Sequence, residues 1–273
     1  MPFQEIEEEA GMMPKLLVCG RGGSGKSTLV ALLAHRLGED GKVLVVDADE
    51  SNLGLGTMLG LRPPEKTLMD YLGGKPAVRE KLMAAIRGQG DERVELFSRK
   101  VGLEDLPPEC LCRQGNVAWM RIGKIEHVME GCACPMGALA RAFLNNLVVG
   151  DGEWVLVDTE AGVEHFGRGV LEGVDAVLLV AEPSHEAVVL LDKAIGLCRE
   201  AGKRYGVILN KVVEETESAL RKMLAERGIE VTGTLPYSSA ISWANLWGEP
   251  LEGGLERQVV NGLVSGIREM LGV

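Results

Sequence analysis

Short apolar runs alternate with longer amphipathic stretches along this chain. The segments Lys15 to Cys19, Val43 to Asp47, Trp154 to Asp158, Ala176 to Ala181, Arg204 to Asn210 and Ile229 to Leu235 read as strands, and Val94 to Phe97 as a shorter one. Most are apolar throughout rather than alternating, which is the pattern of strands buried on both faces. Between them, Ser27 to Leu37, Leu139 to Leu147, Glu186 to Ala201, Glu217 to Arg227 and Leu255 to Leu271 carry helical spacing. Strands separated by helices predict an α/β fold with a mostly parallel sheet covered on both sides. The region from Pro107-Pro108 through the cysteine-rich stretch to Gly137 interrupts this alternation and reads as an insertion around 107–137. Residues 14–273 are expected to form one domain.

Composition narrows the function. Of 273 residues, 46% are hydrophobic, enough for one sizeable core. The formal net charge is −11. Such a surface repels phosphate backbones, so nucleic acid is not the expected partner. There is no run of 18 apolar residues and no signal-peptide pattern, so neither a membrane span nor export is expected. The expected location is the cytoplasm. Residues 1–13, with the acidic run Gln4-Glu-Ile-Glu-Glu-Glu9, lack an apolar period and are expected to be a solvated extension. In the last helix, Val259, Val260, Leu263, Ile267 and Leu271 share one side. Its Arg257 and Arg268 are balanced by Glu256 and Glu269, so docking onto the protein is expected rather than membrane targeting.

The first chemical motif is Gly20-Arg21-Gly22-Gly23-Ser24-Gly25-Lys26-Ser27-Thr28, which satisfies G-x-x-x-x-G-K-[ST]. Glycines let consecutive backbone N–H groups turn inward around a phosphate chain. Lys26 is expected on the β- and γ-phosphates, and Ser27 on Mg²⁺. The motif lies between a predicted strand and a predicted helix, whose N-terminus would face the phosphates.

Two acidic motifs follow. Asp47 and Asp49 close the strand after the P-loop helix, which sets both beside the phosphates. Asp47 is assigned to the magnesium shell and Asp49 to orienting the attacking water. Asp158 ends the apolar run Val155-Leu-Val and reads as a Walker B acid on the same Mg²⁺. Gly162, four residues on, would place a backbone N–H to sense a γ-phosphate. Asn210-Lys211 ends a further strand, where the Asn can bond an adenine edge. A guanine-specific switch would carry Asp at the position of Val213, so adenine is favoured.

Together the G-x-G-G-x-G-K-[ST] loop and Asp47-Ala-Asp49 resemble the deviant Walker A ATPases, the MinD/ParA/nitrogenase-iron-protein group of the SIMIBI P-loop class. The resemblance implies a doubly wound fold that dimerises around two ATP molecules. The family carries a Lys at the second P-loop position that reaches the partner's phosphates. This chain has Arg21 there, which keeps the charge and adds a planar fork. A narrower likeness lies in Asp158-Thr-Glu-Ala-Gly-Val-Glu-His165-Phe-Gly-Arg-Gly169, in Leu68-Met-Asp-Tyr-Leu-Gly-Gly74 and in Leu235-Pro236-Tyr237. These resemble the CooC-type accessory ATPases of carbon monoxide dehydrogenase maturation. That likeness implies Pro236 at the adenine, His165 in a switch segment, and Ni²⁺ or Zn²⁺ held at a Cys-x-Cys motif on the dimer axis. It also implies a client nickel enzyme such as carbon monoxide dehydrogenase.

The motif stands here as Cys132-Ala-Cys134. Two thiolates cannot close a tetrahedral site, but a two-fold dimer would supply four. Cys110 and Cys112 form a second pair that either completes a set within one chain or is a loose loop; His127 and His165 are further candidate ligands, and Cys19 and Cys198 read as core thiols. The expectation is a dimeric ATPase acting as a metallochaperone. The alternatives are an iron–sulfur ATPase resembling the nitrogenase iron protein and a MinD/ParA-like positioning switch without metal.

Overall fold

A computed structural model describes residues 14–87, 100–124, 134–162, 170–251, 254 and 256–273. The expected strand Val94–Phe97, the 1–13 extension, Cys132, His127 and His165 lie outside the described residues, as does the side chain of Cys134.

The apolar runs do become strands. β1 is Lys15–Gly20, followed by α1 (Lys26–Gly38) and β2 (Lys42–Asp47). Next come the short α2 (Leu55–Met58) and α3 (Leu68–Tyr71) and the longer α4 (Gly74–Arg87). β3 (Cys112–Gln114) and β4 (Val117–Arg121) lead to α5 (Cys134–Asn146) and β5 (Glu153–Asp158). The chain closes with β6 (Ala176–Ala181), α6 (His185–Glu200), β7 (Arg204–Val212), α7 (Glu214–Ala225), β8 (Gly233–Pro236), α8 (Ser239–Trp247) and α9 (Arg257–Leu271).

One eight-stranded sheet has the order β3-β4-β2-β5-β1-β6-β7-β8. All neighbours are parallel except the β3–β4 hairpin at one edge. Two apolar layers cover it. One joins Leu17, Leu44, Val157 and Leu179 to α5, α6 and α7; the other joins Leu16, Val45, Leu156 and Ile208 to α1 and α9. Adjacent strand residues therefore point into opposite layers, as a sheet buried on both faces requires. This is the expected α/β, doubly wound class.

Three expectations change. The stretch read as interrupting the alternation contributes β3 and β4 to the sheet, with Val45 paired to Trp119. Its apolar run Val117-Ala-Trp-Met is only four residues long and sits behind a Gly-Asn turn, so local pattern understated it. The strand expected over Ile229–Leu235 is four residues, Gly233–Pro236. The helices α4 and α8 were not anticipated. α8 is uncharged along its length and is begun by Ser238, whose hydroxyl accepts from the Ile241 N–H at 3.3 Å. The last helix docks as expected. Val260, Leu263, Val264, Ile267 and Leu271 are buried, and Arg257 forms a forked pair with Glu39 at 2.8 and 2.9 Å. Among the described residues no helix is long and apolar enough to cross a membrane.

Candidate functional site

In a parallel sheet every strand delivers its C-terminal end to the same edge, and the loops there converge. Here that edge gathers the P-loop from β1, Asp47 from β2, Asp158 from β5, Glu182 just past β6, Asn210 from β7 and Pro236 from β8. Asp47 and Asp158 are register partners across the β2–β5 pair, so the two carboxylates stand side by side.

The P-loop conformation depends on its glycines. Gly25 has φ of +93°, and a Cβ there would collide with the Asn210 amide. A Cβ at Gly20 would strike the Val180 carbonyl. The loop is thus packed directly on β6 and β7. Lys26 starts α1 and folds back, its Nζ donating to the carbonyls of Gly20 at 3.3 Å and Arg21 at 3.2 Å. It is only 7% exposed. The ammonium is thereby stored against the loop that would surround the phosphates.

The acids form one network. Ser27 Oγ donates to Asp158 Oδ2 at 2.6 Å, and Asn52 Nδ2 reaches both Asp158 Oδ2 at 2.9 Å and Ser27 Oγ at 2.8 Å. Asp158 Oδ1 is buried without a hydrogen-bond partner in the protein. A buried, unpartnered carboxylate oxygen next to a hydroxyl is a hard-oxygen donor set, which fits Mg²⁺. Asp47 and Asp158 are both 0% exposed. Burial pushes Asp158 up to about 7 and Asp47 to about 6; hydrogen bonding from Ser27 opposes the first shift, and Lys124 the second. Asp49 is half-buried. Its Oδ1 accepts from Ser51 N at 2.9 Å, Ser51 Oγ at 2.7 Å and Asn52 N at 3.2 Å, so a local turn fixes the carboxylate.

The other expected residues are engaged within the chain as follows. Asn210 is buried, and its Nδ2 donates to the Ser24 carbonyl at 2.6 Å. Lys211, in the left-handed region at φ +58°, donates to the Gly23 carbonyl at 2.6 Å. In this conformation both tie β7 to the P-loop rather than presenting a base edge. The Gly162 N–H donates to the Gly20 carbonyl at 3.1 Å, so it too is engaged by the P-loop strand. Arg21 is bound within its own chain: Nη1 to Glu182 at 2.9 Å and Nε to Glu186 at 2.6 Å. Pro236 is exposed at the end of β8, beside β7.

The cysteines divide. Cys110 is 0% exposed, and burial pushes its thiol up to about 11; its Sγ lies 3.8 Å from the Thr67 carbonyl. Without a metal beside it that thiol is held protonated; whether Cys110 and Cys112 complete a set with Cys132 and Cys134 rests on residues outside the description. Cys112 is on β3, opposite Trp119. Cys198 is a core thiol as expected, pushed up to about 12 by burial. Among the described residues no group of three or more His, Cys, Asp or Glu side chains is arranged to hold a metal ion. Cys132-Ala-Cys134 is not tested by this, because α5 begins at Cys134 and its side chain lies outside the description.

Four site residues were missed from sequence: Asn52, Lys124, Glu182 and Glu186. Asn52 and Lys124 carry no motif of their own; each matters only because the fold brings it to Asp47 or Asp158. Lys124 was hidden twice, since the strand that delivers it, β4, went unrecognised.

Comparison with known proteins agrees with this geometry. The family model described as the CobQ/CobB/MinD/ParA nucleotide binding domain matches residues 16–251. An ATP-binding protein of Methanocaldococcus jannaschii is 40% identical over 242 residues, covering 88% of this chain and 95% of that protein. The carbon monoxide dehydrogenase accessory protein CooC of Rhodospirillum rubrum is 32% identical over 234 residues, covering 85% of this chain and 86% of its own. Among solved structures, the septum site-determining protein MinD of Pyrococcus horikoshii, complexed with Mg-ADP, superposes with a TM-score of 0.66 at 20% identity, covering 96% of this chain and 98% of that one. The P-loop, the paired strand-end acids and the eight-stranded sheet converge with these matches: the chain belongs to the CobQ/CobB/MinD/ParA nucleotide-binding family and is an ATPase.

Proposed function

We propose that this ATPase is a metallochaperone that supports nickel insertion into carbon monoxide dehydrogenase or a related nickel enzyme in the cytoplasm. The observation that carries the reading is the similarity, over 85% of the chain, to a carbon monoxide dehydrogenase accessory protein. The Cys132-Ala-Cys134 motif supports it, since a pair of thiolates is a soft half-site that needs a second copy.

The nucleotide chemistry follows from the site. Ser27, Asp47 and Asp158 would hold Mg²⁺, which neutralises charge on the phosphates when bound. Lys26 swings from the P-loop carbonyls to the β/γ-phosphates. Asp49 orients a water whose oxygen attacks the γ-phosphorus. The bond to the β,γ-bridging oxygen breaks, ADP leaves with the electron pair, and the water's proton passes to solvent through Asp49. Arg21 leaves Glu182 and Glu186 to reach the partner's phosphates, closing a homodimer that brings two Cys132–Cys134 pairs together. Ni²⁺ or Zn²⁺ is then cargo, held by four sulfurs and passed on when hydrolysis loosens the dimer.

Elemental analysis of anaerobically purified protein tests this reading. One Ni²⁺ or Zn²⁺ per dimer is expected, lost on Cys132→Ser with Cys134→Ser, with weaker binding at acidic pH because thiols must deprotonate. Equal metal binding by the double variant overturns it. Iron with visible absorbance would instead assign an iron–sulfur ATPase, and function retained without both cysteines a metal-free switch.

A further inference from the structure

Lys124 is absent from every motif in the chain, yet it lies at the centre of the acid network. Beyond β4 the backbone keeps pairing with β2, the Ile122 N–H donating to the Asp47 carbonyl at 2.9 Å. This carries Lys124 over the loop that follows Asp47. Its side chain is 4% exposed. Nζ lies 2.8 Å from Asp47 Oδ2, 2.7 Å from the Asn52 carbonyl, and hydrogen-bonds the Asp49 carbonyl as well. An ammonium has three protons and no acceptor. Two hydrogen bonds go to the Asp49 and Asn52 carbonyls and an ion pair to Asp47, so these direct partners all lie in the segment 47–52 that carries Asp49.

The loop in turn reaches the rest of the site. The Asn52 amide bonds Ser27 and Asp158, and the Asn52 and Ser51 N–H groups hold the Asp49 carboxylate. The backbone carbonyls of Asp49 and Asn52 are held by Lys124, while the Asn52 side chain bonds Ser27 and Asp158. Phosphoryl transfer is mostly positioning, so a small displacement of this loop costs rate before it costs binding.

We propose that Lys124 is a positioning residue for ATP hydrolysis: its ammonium staples the Asp47–Asn52 loop so that Asp49 is held in its water-orienting place. The proposal rests on that reading of Asp49. A buried lysine could also serve stability alone, so the test must separate the two roles.

The experiment is a double-mutant cycle of Lys124→Met and Asp49→Ala in the full chain, with steady-state hydrolysis and fluorescent-ATP binding measured for each variant. Lys124→Met is expected to lower kcat by about 10- to 100-fold with ATP affinity changed less than about threefold. On the Asp49→Ala background the same substitution is expected to change kcat less than about threefold, because the group it positions is gone. Lys124→Arg, which keeps the cation, is expected to recover part of the rate. A parental kcat in Lys124→Met overturns the proposal. So does an equal fall on both backgrounds, or a loss of ATP affinity as large as the loss of kcat. If Asp49→Ala alone hydrolyses at the parental rate, the reading of Asp49 falls and takes this one with it; if Asp49→Ala is slow and the effects add, only the role of Lys124 falls. Should Lys124→Met fail to fold, the cycle is run with Lys124→Arg. The longer, planar side chain shifts the loop, so a smaller fall in kcat that vanishes on Asp49→Ala supports the proposal, and one that persists overturns it.

Discussion

The two flanks of the P-loop hold the same kinds of charge under opposite conditions. On the β2–β5 flank, Asp47 and Asp158 are fully buried, and Lys124, their cationic neighbour, is nearly so. On the β6 flank, Arg21 is 41% exposed and meets Glu186 at 70% exposure. Buried charges cost several kcal/mol each unless paired or metal-bound, whereas exposed pairs are worth about 0–1 kcal/mol. The first flank is therefore a fixed device whose carboxylates wait above their ordinary pKa for a cation. On the second, the Arg21–Glu186 pair can open and close with little cost, while Glu182, 13% exposed with Oε2 buried and unpartnered, holds Arg21 more firmly. Under the proposed mechanism, in which the site holds magnesium and releases Arg21 to a second copy, one flank of each kind is what is required.

The largest effects should come from breaking the phosphate machinery shared by both flanks. Lys26→Ala is expected to weaken ATP binding by about 100-fold or more, since it removes the mobile cation meant for the β/γ-phosphates. Asp49→Ala is expected to bind ATP normally and hydrolyse it slowly. Isothermal titration and phosphate release separate the two, and equal loss of affinity would remove the division of roles.

Next in size is the pH dependence of the buried flank. Asp158 titrates at about 7 in the folded chain against an ordinary 3.8. Below 3.8 both states are protonated and nothing is gained or lost. Between 3.8 and about 7 the unfolded carboxylate ionises while the folded one does not, so stability falls as pH rises. Above 7 the loss is constant, of order a few kcal/mol. Asp158→Asn is expected to flatten this slope in nucleotide-free protein and to raise Tm at pH 8, while abolishing Mg²⁺-dependent hydrolysis. Denaturant melts from pH 5 to 8 check it; an unchanged slope would mean that Asp158 is not the group paying for burial.

The smallest effect on stability should come from the exposed flank, and it sharpens the contrast. Glu182→Gln with Glu186→Gln is expected to leave Tm unchanged within error, yet to favour the ATP-bound dimer by freeing Arg21. Sedimentation velocity with ATP and Mg²⁺ reads the shift. A dimer that forms no more readily, or a large drop in Tm, would show that the Arg21 pairs are structural.

Legibility followed distance along the chain. The P-loop, Asp47-Ala-Asp49 and the Asp158 strand could be read because each is a local string: an apolar strand that ends in a chemical group needs no partner to be recognised. Helix boundaries came within a few residues where apolar spacing was strong, as for His185–Glu200. They were missed where it was weak, as for the uncharged Ser239–Trp247. Cys110 shows a related limit: a C-x-C spacing says nothing about burial, and burial raises that thiol to about 11.

By itself, the sequence determined the fold class, the phosphate-binding loop and the acids at the strand ends, because hydrophobic period and motif act within ten or so residues. Only the tertiary structure decided what those groups touch. Arg21 meets Glu182 across 161 positions and Asn210 meets Ser24 across 186. Lys124 reaches the Asn52 carbonyl across 72. Those contacts exist because parallel strands distant in sequence bring their ends to one edge of the sheet, and nothing in a local pattern records which ends become neighbours.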